Sequence, residues 1–397
     1  MDIHHRERSL ERLLEKLKDI KDKNKPHLEK YFAFLSASGL SVARKDKEIR
    51  ILLNLSKWLK KDFDDARKDD IVKLVGEVEK QDYTEWTKVD YKVILKKFYS
   101  WLRNCEPKTY PEEVRWVKTT YRNKNHKLPE ELLTEDEIKR MVNTASHPRD
   151  KALIMALAES GARISEIALL TLRHIQFDDY GAVIIVSGKT GDRRIRLIAA
   201  APLLASWIDI HPNRDDLDSP LWVGFGKRNN KDVITYNAIS KMIKGVAKEA
   251  KIDKKIYCHL FRHSRATFLS KHLTESQLKA MFGWTQGSEM AGTYVHLSGK
   301  DIDDSILKLN GLKKPEEVEE TKLKPITCPR CKFVNSPTSD FCSRCAMALN
   351  LKAVVRLESK RSQYDSDLNL LAKYNPEELV RLGKALARLK FDKNMKK

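Results

Sequence analysis

The sequence predicts a mainly α-helical protein with a small β-hairpin in its larger domain and a small four-cysteine module near its C-terminal end. Three observations carry that expectation. Apolar residues recur at helical spacing through most of the chain. Two β-branched runs flank a glycine-containing turn within 182–199. Two Cys-x-x-Cys pairs lie close together within 328–345. At 397 residues the chain exceeds what one hydrophobic core usually serves, so two large domains and a smaller module are expected.

The elements follow in order. Residues 5–24 read as a charged amphipathic helix with Leu10, Leu13, Leu14 and Leu17 on one stripe, and 1–24 is set apart on that ground. Residues 25–110 read as a compact domain of four helices. Pro26 stands near the start of the first, which carries Leu28, Tyr31, Phe32 and Leu35 on one face and ends at Ser38-Gly39. The second runs from Arg44 to Lys60. The third starts near Asp69 and carries Ile71, Leu74, Val75 and Val78. The fourth spans Trp86 to Leu102. Lysines such as Lys57, Lys60, Lys92 and Lys96 decorate these helices; a solvated face explains any one of them, and a row of them also suits phosphate contacts.

The polar stretch 111–130, with prolines at Pro111 and Pro129, reads as a linker. The second domain is expected over 131–312. Thr134 and Glu137 form a capping-box signature at its first helix. Ala182–Ser187 and Arg193–Ala199, joined by Gly188-Lys189-Thr190-Gly191-Asp192, read as the hairpin. Gly188-Lys189-Thr190 also imitates the end of a phosphate-binding loop. That reading fails, because the required earlier glycine would fall at Val183 and a strand follows where a helix is needed. A second linker (313–326), the cysteine module (327–350) and a basic helical tail (351–397) complete the chain.

Lys and Arg number 76 against 56 Asp and Glu, a formal net charge of +20, which favours a polyanionic partner, nucleic acid first. No apolar run is long enough to span a bilayer, and Met1–Lys25 lacks the apolar stretch of a signal peptide. A cytoplasmic, nucleoid-associated protein with no membrane partner is expected. Cys105 and Cys258 stand alone, whereas Cys328, Cys331, Cys342 and Cys345 form two knuckles separated by ten residues. Four thiolates so spaced suit a tetrahedral, structural Zn²⁺ and resemble a short zinc ribbon; disulfides or iron are the alternatives. A module this short needs the metal for its folding energy, and four protein ligands leave no open position for catalysis.

Four further motifs carry chemistry. Gly161-Ala162-Arg163-Ile164-Ser165-Glu166 places an arginine beside a small-residue turn, where it could simply pair with Glu166. Lys189 at the hairpin tip is either solvated or a proton donor on a flexible loop. His259 and Arg262, three apart, share a helix face and could bind one phosphate from two sides. Trp284 precedes Tyr294 by ten residues, and a lone tyrosine near a turn is ordinarily a packing residue with a polar tip.

In this order, these positions resemble the tyrosine recombinase (phage integrase) family, and the cysteine module resembles that of archaeal-type integrases. The arginine motif matches at Arg163 with its carboxylate at Glu166, and the hairpin lysine matches at Lys189. The His-x-x-Arg-His box reads His259-Leu260-Phe261-Arg262-His263, with Phe261 where the family has Leu. Trp284 takes the family's His/Trp position and Tyr294 its nucleophile. The spacing departs from the family, ten residues where nine is usual, and the small residues of 285–292 can absorb the difference.

The resemblance implies a helical SAM-like core-binding domain that grips double-stranded DNA, followed by a tyrosine-recombinase catalytic domain. It implies strand cleavage and rejoining through a 3′-phosphotyrosyl link, with no catalytic cofactor, ATP or divalent metal. Arg163 and Arg262 would neutralise the phosphate, His259 would act as base or share the proton through the site, and Lys189 would act as general acid. Trp284 would donate its indole N–H, while Glu166 and His263 would stand behind them, Glu166 orienting His259 or its neighbours. It further implies a homo-tetramer on two DNA sites. The segment with Ile302, Ile306, Leu307 and Leu309 would dock on a neighbouring protomer or in cis, and accessory proteins could meet the zinc ribbon. A type IB topoisomerase-like nicking-closing enzyme, or a non-catalytic DNA-binding protein on the same scaffold, is the alternative.

Overall fold

The computed structural model describes residues 3–4, 6–19, 23–120, 129–188, 190–225, 232–294 and 321–371, with 306–307, 310, 373 and 375. Two compact units emerge, Met1–Leu128 with Thr235–Asn237, and Pro129–Ile234 with Ala238–Lys397.

In the first unit, helical periodicity produces α1 (Arg6–Asp19), α2 (Lys25–Ala37), α3 (Val42–Leu59), α4 (Lys68–Lys80) and α5 (Glu85–Leu102). Leu28, Tyr31 and Leu35 of α2, Ile49 and Leu52 of α3, Ile71 and Leu74 of α4, and Ile94 and Phe98 of α5 meet in one core. Leu10, Leu13 and Leu17 bury the stripe of α1 in the same core, where α1 lies on α3. Gly39 ends the α2 connection in a left-handed conformation (φ 67°) that a side chain would resist. Glu48, fully buried on α3, is held by the Tyr31 hydroxyl at 2.9 Å, Arg44 Nε at 2.6 Å and Lys97 Nζ at 2.9 Å. Such a group stays in a core only because its acceptors are occupied. Within the stretch read as a linker, Glu112–Arg115 form α6 and Val114 and Val117 are buried, because their spacing places both on the side facing the core. Residues 121–128 of that linker lie outside the described residues.

The second unit opens on α7 (Glu135–Thr144). The Thr134 hydroxyl accepts from Glu137 N at 3.2 Å and Glu137 Oε2 from Thr134 N at 2.8 Å, so the expected capping box is formed. Helix α8 (Pro148–Ser160) is apolar on nearly every side and buried from Ala152 to Ser160; it is the central rod of the unit. After α9 (Ile164–Ala168) come β1 (Ile175–Asp178), β2 (Gly181–Gly188) and β3 (Gly191–Leu197), an antiparallel sheet in the order β1-β2-β3. Ala182, Ile184, Val186, Ile195 and Leu197 form its buried face.

Two details differ from the sequence reading. Gly188 pairs with Gly191, so the strands reach closer to one another's ends than the sequence reading placed them, with Gly191 at φ 96°. Strand β1 was not anticipated; it is four residues long with an almost wholly exposed pattern, and short exposed strands carry little apolar alternation. Helices α10 (Ala201–Asp209), α11 (Tyr236–Glu249), α12 (Cys258–Leu269) and α13 (Glu275–Phe282) follow. The buried Glu159 carboxylate of α8 accepts from the backbone N–H of Ile198, Ala199 and Ala200 at 2.7, 3.0 and 2.8 Å, which fastens the end of β3 to the central helix. Past residue 321 come the short strands β4 (Ile326–Thr327) and β5 (Val334–Asn335), antiparallel with Ile326 opposite Asn335, and the exposed helix α14 (Leu351–Leu371). Among the described residues, no helix is long and apolar enough to cross a membrane.

Candidate active site and cysteine cluster

The arginine motif works as a helix stop followed by a helix start. Gly161 closes α8 in the left-handed region at φ 57°, and a Cβ there would meet Phe282 Cε1 at 2.6 Å. Arg163 is then the N-cap of α9. Its backbone N–H donates to Glu166 Oε2 at 2.7 Å and its Nη1 to Glu166 Oε1 at 2.8 Å. Arg163 Nη2 reaches Gly283 O at 3.4 Å.

Helix α12 presents the next group. His259 and His263, one turn apart, have perpendicular rings with centroids 4.7 Å apart. Arg262 is 4% exposed; its Nη1 donates to Gly161 O at 3.1 Å and its Nη2 to Phe282 O at 2.7 Å. The guanidinium also lies 5.0 Å from the Phe282 ring centre and 5.5 Å from that of Trp284. Arg262 is thereby clamped between the two ends that deliver Arg163 and Trp284.

Helix α13 ends at Gly283, left-handed at φ 58°, which turns the chain back toward α12. Trp284 stacks on Phe282 (5.0 Å, 19°) and on Tyr294 (5.6 Å, 2°). The Tyr294 hydroxyl lies 2.6 Å from His263 Nδ1. Between Trp284 and Tyr294, Ser288 N bonds Thr285 O at 2.9 Å, and Tyr294 N bonds Ala291 O at 3.0 Å in a one-turn 3-10 segment.

The electrostatics follow from burial and three neighbouring guanidiniums. Burial, reinforced by Arg262 and Arg163, holds the His259 imidazole below its ordinary range, so it is neutral at pH 7. Burial and the proximity of Arg163 push Arg262 down to about 10, still protonated at neutral pH. Burial raises the Tyr294 phenol, an effect that Arg262 partly offsets. Burial alone would raise Glu166, but donors from Arg193 and Arg163 outweigh it and keep the carboxylate ionised.

Arg163, Glu166, His259, Arg262, His263, Trp284 and Tyr294, all singled out in the sequence, therefore share one site. Lys189 lies outside the described residues. Two contacts bear on the expected roles. Glu166, expected to orient His259 or its neighbours, holds the two arginines Arg163 and Arg193. The tyrosine hydroxyl rests on His263, while His259 was expected as its base or as a partner sharing the proton. Arg193 was missed. Its signal was present, since it shares the inward face of β3 with the buried Ile195 and Leu197, an unusual place for an arginine.

The four cysteines of the C-terminal module form a second cluster, with all four sulfurs within 4.8 Å of one another. Cys328 Sγ and Cys345 Sγ are 3.6 Å apart, and Cys331 Sγ and Cys342 Sγ 3.5 Å. Those separations are far beyond a disulfide bond and near the roughly 3.8 Å between thiolates on a tetrahedral ion with 2.3 Å bonds. The two knuckles have one design. Lys332 N bonds Cys328 O and Ala346 N bonds Cys342 O, both at 2.9 Å, with Lys332 and Ala346 left-handed at φ 60° and 57°. Four soft donors already converging are a set that can hold one metal ion.

Two buried or half-buried arginines, two histidines and one tyrosine converge on a helical scaffold, an arrangement that can hold an anion against a phenol. Residues 131–300 match the Phage integrase family, and that segment is similar to tyrosine recombinases. Tyrosine recombinase XerA of Pyrococcus horikoshii is 31% identical over 149 residues, 37% of this chain and 50% of that protein. XerA of Pyrococcus furiosus is 28% identical over 196 residues, 48% of this chain and 66% of that protein. The chain thus spans half to just under two thirds of these curated relatives. Among solved structures, XerH site-specific recombinase bound to a palindromic difH substrate is 17% identical, with a TM-score of 0.56 over 77% of this chain and 89% of that one. A lambda integrase dimer bound to a core site is 14% identical, with a TM-score of 0.53 over 74% and 80%. At these identities the structures show a shared fold.

Proposed function

We propose that this protein is a site-specific DNA recombinase that cleaves and rejoins strands through Tyr294. The observation that carries the reading is the Tyr294 hydroxyl, 2.6 Å from His263 Nδ1 and stacked against Trp284 beside Arg262.

The chemistry balances as follows. The Tyr294 oxygen attacks the scissile phosphorus and forms a 3′-phosphotyrosyl bond while the bond from phosphorus to the 5′-oxygen breaks. The phenol proton passes to the histidine pair, of which His263 is the immediate acceptor and the neutral His259 its neighbour. Lys189 gives a proton to the leaving 5′-oxygen, as the family resemblance implies. Arg163 and Arg262 neutralise the charge that builds on the non-bridging oxygens, with planar paired donors that a lysine lacks. Religation runs the same steps backwards, because the bond energy stays in the phosphotyrosyl link. Double-stranded DNA is the partner, in keeping with the net charge of +20; a homo-tetramer on two sites is the working assembly and the cytoplasm the compartment.

The test uses nicked suicide duplexes drawn from a random-sequence pool, incubated with the full chain, with covalent adducts recovered after denaturation. The expected result is an adduct whose DNA-linked peptide contains Tyr294. Linkage at another residue, or no adduct from the whole pool, overturns the reading. Relaxation of supercoiled DNA with no recombinant products would move the protein to the type IB topoisomerase class.

Cys328, Cys331, Cys342 and Cys345 would hold a structural Zn²⁺, supported by their spacing and by the converging sulfurs. Metal analysis of the reduced chain should give about one zinc per molecule. Cys342→Ser should abolish it and open residues 321–350 to protease, since the ion supplies the module's folding energy. A folded, protease-resistant module without zinc contradicts the assignment.

A further inference from the structure

Arg193 occupies a place that no step above uses. Its side chain is 10% exposed on strand β3, two residues after Gly191. All three of its nitrogens are engaged inside the protein. Nη1 and Nη2 form a two-pronged pair with Glu166 Oε1 and Oε2 at 3.0 and 2.7 Å, and Nε donates to Met281 O at 2.8 Å. A guanidinium committed in this way has its plane and position fixed. Its task is mechanical.

The contacts around it define that task. Glu166 is the residue that holds Arg163 through backbone and side chain. Gly188, the last residue of β2, lies so close to Glu166 that a Cβ there would meet Oε1 at 2.4 Å. Thr190, in the turn itself, donates its hydroxyl to Gly283 O at 3.1 Å, and Gly283 is the residue before Trp284. Both strand ends and the turn of the hairpin are therefore moored to the arginine turn and to the end of α13. Arg193 is the buried, charged anchor of that mooring. The one residue between Gly188 and Thr190 is Lys189.

We infer that Arg193 is a positioning residue that docks the β2–β3 hairpin on Glu166 and Met281, so that the hairpin lysine meets the leaving 5′-oxygen. The inference rests on the recombinase reading and on Lys189 as its general acid. It separates two functions of Glu166: one face orients Arg163 toward the phosphate, and the same carboxylate secures the acid loop through Arg193. A lysine in place of Arg193 keeps the charge but cannot span both carboxylate oxygens and the Met281 carbonyl together.

The experiment compares two forms of one suicide duplex, recovered by capture with the parent chain and mapped to its scissile phosphate. One form has the ordinary 5′-bridging oxygen, the other sulfur, which leaves without an acid. Arg193→Lys and Arg193→Gln should cleave the oxygen substrate about 10²-fold more slowly, the size of a lost general acid, and cleave the sulfur substrate within a few-fold of the parent. Thr190→Val, a surface change that removes the milder mooring and leaves the core alone, should show the same pattern at smaller amplitude. Adding Lys189→Ala to Arg193→Lys should cost little more, because both act on one step.

The outcomes are distinguishable. If Lys189→Ala recovers on sulfur and the Arg193 variants do not, Arg193 acts through Arg163 or through stability, and the proposal falls while the recombinase reading stands. If neither recovers, the acid assignment fails and takes the proposal with it. Full activity of Arg193→Gln on the oxygen substrate also overturns it.

Discussion

Tyr294→Phe should form no covalent DNA adduct while binding DNA as tightly as the parent. The substitution removes one oxygen and leaves the ring. That ring carries the structural role: it stacks on Trp284 with planes 2° apart and packs on the small core of Ala266, Leu269, Leu278 and Phe282. The lost bond to His263 should cost about 1 kcal/mol of stability. Cleavage should fall by several orders of magnitude, as for removal of any nucleophile that bonds to its substrate. The paired measurement is adduct yield on the suicide duplex against binding on the same duplex left intact. An equal adduct from the variant would remove Tyr294 from the mechanism. Equal losses of binding and adduct would reduce it to a packing residue.

Arg262→Lys is expected to have the second largest effect, for a different reason. Arg262 is buried, yet it donates to Gly161 O and Phe282 O, which are the C-terminal ends of α8 and α13. Its fork therefore serves two ends of the site and keeps further N–H donors beyond the two it commits there. A lysine reaches one carbonyl at most and brings no second planar donor to the phosphate. Cleavage should drop by about 10²–10³-fold, the usual loss when a preorganised donor is removed from a developing negative charge. Stability should fall by about 1–3 kcal/mol, because one buried carbonyl is left without its donor. The loss should persist with the 5′-sulfur substrate, since the defect lies at the non-bridging oxygens and not at the leaving group. Recovery on sulfur would place Arg262 with the acid instead. The two arginines are thus predicted to separate on one assay, Arg193 variants recovering and Arg262 variants not.

The sequence carried the helices of the first unit, because their apolar residues repeat at intervals of three and four and their ends bear turn residues such as Ser38-Gly39. It carried the capping box at Thr134 and Glu137 for the same local reason. Less legible were features whose signal lies between distant segments. Strand β1 is defined by its pairing with β2, not by its own four exposed residues. Val114 and Val117 read as part of a polar linker, since the core that buries them is built from helices earlier in the chain.

The site divides in the same way. The residue types and their order along the chain, set beside the recombinase family they resemble, were enough to single out Arg163, Glu166, His259, Arg262, His263, Trp284 and Tyr294, and the cysteine spacing alone singled out the four cysteines. Tertiary structure alone decided which of them touch. It set Tyr294 on His263, gave Glu166 two arginines to hold, and made Arg193 the link between the hairpin and α13. The physical reason is that a hydrogen bond depends on distances of a few tenths of an ångström. Those distances are fixed by how α8, α12, α13 and β3 pack together, over separations of up to 120 residues that no local pattern encodes.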